Sequence, residues 1–116
     1  MLRRLVILGA LSSVAVALYL VFGRGREIQG ADARKLVAAG ARLLDVRSPA
    51  EFAGGHLPGA VNIPVQELDR RLAEVGPRDG EVVVYCRSGH RSSHATALLR
   101  AYGFTKVHNL GPMMAW

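Results

Sequence analysis

The segment Cys86-Arg87-Ser88-Gly89-His90-Arg91 places the only cysteine of the chain at the head of a loop with two arginines and a glycine. It follows Val82-Val83-Val84-Tyr85, a β-branched run that predicts a strand covered on both faces. It precedes Ser92 to Tyr102, where Ala95, Leu98, Leu99 and Tyr102 recur at helical spacing and Gly103 supplies a stop. A chain turning from a strand end into a helix presents backbone N–H groups without partners, and the helix dipole adds partial positive charge at the same point. Such a loop suits anions. A cysteine opening it is expected to act as a thiolate nucleophile, because the N–H groups, Arg87 and Arg91 all favour negative charge on sulfur. A lone cysteine ending an apolar strand is otherwise a packing residue. Two like charges within five residues bring a plain connection no benefit, and they favour the chemical reading.

Other site chemistries fit less well. With one cysteine, neither an intramolecular disulfide nor a thiolate metal cage can form. His90 and His94 stand four apart, but Arg91 lies between them and no third ligand is evident, so no metal is expected. The net charge of +6 is concentrated early: Arg3, Arg4, Arg24 and Arg26 precede Glu27 with no acidic residue among them. From Glu27 onward eleven basic residues face nine acidic ones, too mild an excess for a nucleic-acid surface.

The elements that must position the loop alternate between short apolar strands and helices. Glu27-Ile28 is expected to start a strand, Ala31 to Ala39 a helix stopped by Gly40, and Ala41 to Val46 the next strand. Ser48-Pro49-Ala50-Glu51 reads as a helix start, with a Ser cap, Pro in the first turn and Glu at the third helical position. Gly54-Gly55 ends that helix, and His56 to Ala60 turns into the short strand Val61-Asn62-Ile63. Leu68, Leu72 and Val75 give helical spacing over Gln66 to Val75, and Phe104 to His108 closes the series as a strand. This alternation predicts an α/β domain around a mostly parallel sheet, over residues 27–116. Sites in such sheets lie at the carboxyl ends of strands, which points to the loops after Val46 and after Tyr85.

Residues 1–26 read as a membrane anchor and joint. Leu5 to Phe22 is uncharged, and as a helix it would reach ~27 Å, about the thickness of a thin bilayer core. A cleaved signal peptide is the competing reading, with Ala15-Val16-Ala17 as its cleavage site; the apolar run continuing through Phe22 favours the anchor. Arg24, Arg26, Arg34 and Lys35 outnumber Arg3 and Arg4, which leans the folded part toward the cytoplasm. An Arg-Arg tail retained inside would send it outward, and cleavage would make it periplasmic.

Three stretches together resemble the rhodanese homology domain. Leu44 to Phe52 followed by Gly55 to Pro64 resembles its early signature, Val84 to Ser92 its active loop, and Asn109 to Trp116 its closing motif, with Pro112 where a second glycine is usual. The resemblance covers about Ile28 to Trp116 and implies a rhodanese-like fold, here preceded by one transmembrane helix. It implies a thiosulfate sulfurtransferase without a cofactor. Cys86 would take the outer sulfur of thiosulfate or a related donor as a persulfide and pass it to cyanide, a small thiol or a protein thiol. Arg87, Ser88, Gly89, His90 and Arg91 would bind the substrate, with the arginines offsetting its charge, and Asp45, Arg47 and Glu51 would support the loop from below. His56 reads as a turn residue.

Two alternatives carry other expectations. Phosphatases and arsenate reductases of the related fold place five residues between cysteine and arginine, whereas four separate Cys86 from Arg91, so a tetrahedral phosphate should fit poorly. A binding module tethered to a membrane, with any sulfur chemistry incidental, would not need the basic loop and intact cysteine that are present, whereas a tethered persulfide carrier would use the cysteine.

Overall fold

The computed structural model describes residues 27–116. Four strands, β1 (Arg42–Asp45), β2 (Val61–Asn62), β3 (Val82–Cys86) and β4 (Val107–Pro112), form one parallel sheet in the order β2-β1-β3-β4. Parallel neighbours need crossover connections. These are supplied by helix α2 (Pro49–Ala53), two 3₁₀ stretches (Val65–Arg70 and Leu72–Glu74) and helix α3 (His90–Ala101), while α1 (Gly30–Ala38) precedes β1.

Every residue of β3 is buried, as its β-branched run requires. Because side chains alternate along a strand, β3 feeds two cores. Val82, Val84 and Cys86 join Leu44, Ile63, Leu68, Ala95, Leu99 and Phe104 on one face. Val83 and Tyr85 join Ala33, Leu43, Leu57 and Leu110 on the other. Asp45 of β1 pairs in register with Tyr85 of β3, so the loops leaving these strands open side by side. That juxtaposition makes the site.

Four local expectations are corrected. Glu27-Ile28 is not a strand: both backbone N–H groups donate to the Asn109 carbonyl, anchoring the entry segment on β4 without a ladder. Gln66 to Val75 forms 3₁₀ turns rather than an α-helix. A three-to-four spacing of apolar residues does not separate the two, and Leu68 and Val75 reach the core either way. The last strand begins at Val107, not Phe104. Phe104 instead plugs the core after α3, and the strand runs on through Gly111-Pro112, which is tolerated on an edge strand with a bulge. Tyr102 lies past the end of α3 and is exposed rather than on its buried face. Among the described residues no helix is long and apolar enough to cross a membrane, and the anchor expected at Leu5 to Phe22 lies outside them.

Candidate active site

Cys86 ends β3, and its side chain is wholly buried beneath the loop that follows. Its Sγ accepts the backbone N–H of Gly89 at 3.0 Å and that of Ser92 at 3.3 Å. Gly89 makes this possible with φ 101°, a left-handed conformation that suits glycine. The turn folds the chain back so that α3 begins over the sulfur, with its dipole adding positive potential there. Ser92 secures the turn by donating its hydroxyl to the Gly89 carbonyl at 3.0 Å, and the Thr96 hydroxyl donates to the Ser92 carbonyl at 2.8 Å. The result is a small nest of N–H groups on one sulfur, an arrangement that stabilises negative charge.

Beneath the loop, the turn after β1 is held by a buried ion pair. Asp45 is fully buried, and Arg47 meets it through Nη2 at 2.7 Å and through Nε at 3.0 and 3.1 Å. Arg47 also donates from its backbone N–H to Asp45 at 2.9 Å and from Nη2 to the Gly55 carbonyl at 2.7 Å. Its hydrogen bond to Asp45 raises the Arg47 pKa above the ordinary value. Asn62 clamps the same turn, donating to the carbonyls of Asp45 and Arg47. The Tyr85 hydroxyl accepts the Leu57 N–H at 3.1 Å, and burial, followed by the nearby Asp45, pushes its pKa well up.

Glu51 and Arg91 join the two loops. Arg91 donates from Nη1 and Nη2 to the two carboxylate oxygens of Glu51 at 2.7 and 3.1 Å. Ser48 and Glu51 form a reciprocal capping box at the start of α2. Arg91 first, and then the Ser48 N–H, lower the Glu51 pKa to about 2. Arg91 is therefore paired with a carboxylate, a partner the sequence reading did not assign to it. Arg87, by contrast, is exposed on the rim with Ser88, and among the described residues no acidic group pairs with it. His90 is exposed at the first position of α3, and His56 stacks on Phe52 at 3.7 Å between ring centroids.

Sequence reasoning missed the surface beside this loop. A bulge between Val84 and Tyr85 shifts the register so that Pro112 stands opposite Cys86. The residues after β4 then turn toward the rim. Leu57, Pro112, Met113, Met114 and Trp116 wall a groove of about 850 Å³, with Arg87 and Ser88 at its polar edge. The available signal was the apolar Pro-Met-Met-Ala-Trp tail, once β4 is known to lie beside β3.

The rhodanese-like domain model matches residues 30–116, and that span contains every group just described. The chain belongs to this family. A sulfurtransferase of Allochromatium vinosum is 45% identical over 75 residues, 64% of this chain and 69% of the relative. The thiosulfate sulfurtransferase PspE of Escherichia coli is 38% identical over 76 residues, 65% of this chain and 73% of the relative. Among solved structures, the human single-domain sulfurtransferase TSTD1 superposes with a TM-score of 0.68 at 37% identity, covering 77% of this chain and 89% of that one. The rhodanese-like fold, with its parallel sheet flanked by helices, agrees with the sequence reading.

Proposed function

We propose that this protein is a sulfurtransferase that carries sulfane sulfur as a persulfide on Cys86. The observation that carries the reading is the Sγ of Cys86 lying under two converging N–H groups at the start of α3. That the relatives are named sulfurtransferases supports it. In the first half-reaction the Cys86 thiolate attacks the outer sulfur of thiosulfate. A sulfur–sulfur bond forms to Cys86, the bond to the sulfonate sulfur breaks, and its electron pair departs with sulfite. The N–H groups of Gly89 and Ser92, which hold the thiolate, then face the negative persulfide. Arg87 meets the charge of the leaving group from the rim. In the second half-reaction cyanide or a thiolate takes the outer sulfur and returns the Cys86 thiolate.

The remaining site residues act through the loop. Glu51 holds Arg91, Asp45 holds Arg47, and these are positioning roles. The same reading attaches the enzyme to a membrane through Leu5 to Phe22.

The deciding experiment incubates the protein with thiosulfate and measures its intact mass. A gain of one sulfur, reversed by dithiothreitol and absent in Cys86→Ser, is expected. Continued thiosulfate turnover by Cys86→Ser would overturn the proposal.

A further inference from the structure

Asn109 of β4 stands opposite Val84 of β3 and is fully buried. An amide enclosed there costs stability unless it is hydrogen-bonded, and a leucine of similar volume would pack without that cost. What the amide holds is therefore informative. Its Nδ2 donates to the Ser93 hydroxyl at 3.2 Å, and its Oδ1 accepts the Gly111 N–H at 3.0 Å. Both bonds end beside the Cys86 loop. Ser93 follows Ser92, whose N–H lies on Sγ, and its own N–H donates to the Gly89 carbonyl at 3.1 Å. Gly111 lies just past the β4 bulge in a left-handed conformation, φ 82°. With Pro112 it backs Gly89: a methyl group at Gly89 would stand 3.6 Å from Pro112 Cδ and 3.8 Å from Gly111 Cα. Asn109 thus bridges the first turn of α3 and the strand segment on which the turn at Gly89 rests.

We propose that Asn109 is a positioning residue for sulfur transfer: its buried amide clamps the first turn of α3 to the β4 bulge, so that Gly89 and Ser92 keep their N–H groups on the Cys86 sulfur. This rests on the persulfide reading of Cys86. The main chain of Asn109 is held separately, because its carbonyl accepts the N–H groups of Glu27 and Ile28 at 2.8 and 3.3 Å. Truncating the side chain removes the clamp and leaves that anchor in place. The Glu51–Arg91 pair fixes the start of α3 from α2, and Asn109 fixes it from β4. The clamp itself touches no reacting atom. Donor binding depends on the rim at Arg87, whereas stabilising the charge on sulfur depends on where the two N–H groups point. Loss of the clamp therefore acts on the rate of the chemical step rather than on the affinity for thiosulfate.

The test follows sulfur addition to Cys86 by mass over time in the full chain, across a range of thiosulfate concentrations, for Ser93→Ala, Asn109→Ala and the double variant. Ser93 is half-buried and alanine is a good helix former, so Ser93→Ala should melt close to the unmodified protein and decides the matter even if Asn109→Ala unfolds. It should still load one sulfur per chain, with a limiting rate roughly fivefold lower, the effect of one neutral hydrogen bond, and an unchanged half-saturating thiosulfate concentration. Asn109→Ala should be slower still, since it frees Gly111 as well, and adding Ser93→Ala to it should slow it no further. An unchanged limiting rate in Ser93→Ala, or single effects that simply multiply in the double variant, would overturn the clamp and leave the persulfide reading intact. A change confined to the half-saturating concentration would place these residues in donor binding and overturn it too. If thiosulfate adds no sulfur even to the unmodified protein, the persulfide reading fails and takes the clamp with it.

Discussion

Glu51 and Arg91 lie forty positions apart in the chain and share two hydrogen bonds, at 2.7 and 3.1 Å, that tie the helix after β1 to the helix after β3. This one contact links the early signature to the active loop. With Arg91 so anchored at the start of α3, the same first turn holds the Ser92 N–H on the Cys86 sulfur.

Replacing Glu51 by Gln should therefore lower sulfur transfer while costing stability of about 1 kcal/mol, since the pair is half-buried and partly screened. The pH dependence has a definite sign. The folded-state pKa of Glu51 lies near 2, below its ordinary 4.5, so the unfolded chain binds the extra proton between those values. The stabilisation is complete above about pH 4.5 and is lost as pH falls toward 2. Thermal melts across that window should show a shallower decline in Glu51→Gln than in the unmodified protein. Identical slopes would remove Glu51 from the acid response.

Asp45 and Arg47 form a different kind of pair, because Asp45 is fully buried and Arg47 nearly so. Breaking a buried pair from one side leaves a charge without compensation, at a cost of roughly 3–5 kcal/mol. Asp45→Ala should lower the urea midpoint far more than Glu51→Gln does. A loss no larger than that of Glu51→Gln would mean that the Gly55 carbonyl and water satisfy Arg47 unaided.

Much of this architecture is legible in the sequence because it depends on local chemistry. The Val82–Tyr85 run permits few structures other than a covered strand, and Ser48-Pro49-Ala50-Glu51 writes out a capping box. What escapes depends on register. The bulge that sets Pro112 opposite Cys86 leaves no periodic trace, so the groove behind it is invisible in sequence. The partner of Arg91 is equally hidden, since a charge in sequence does not show which carboxylate will meet it. Phe104 reads as a strand residue because an aromatic before Thr and Val fits one; its place as a core plug depends on how α3 ends.

Leu5 to Phe22 carries a separate expectation, because an uncharged apolar run of that length partitions into a bilayer. The full chain should sediment with membranes and resist carbonate extraction, and its mature amino terminus should lie at or beside Met1. A mature terminus at Leu18 would assign the segment to a cleaved signal peptide instead.

Gly89 offers the sharpest separation between holding the fold together and performing the chemistry. Its φ of 101° is one that residues with a Cβ adopt only with strain, so Gly89→Ala should cost about 1–2 kcal/mol. Gly40 has nearly the same φ, 106°, with open space for 4 Å around the point where a methyl group would stand, and it lies ahead of β1 at the opposite end of the sheet. Gly40→Ala should incur a similar strain. Only Gly89 donates its N–H to the Cys86 sulfur from a left-handed turn, at 3.0 Å, and relaxing that strained turn would swing the donor away. Removing one donor from a preorganised anion site costs about 10²-fold or more in rate. The two variants should thus melt at similar temperatures, while only Gly89→Ala loses most of its rate of sulfur addition to Cys86. If both retain that rate, the N–H nest contributes nothing to the reaction. If both lose it equally, the rate follows stability rather than the geometry of the loop.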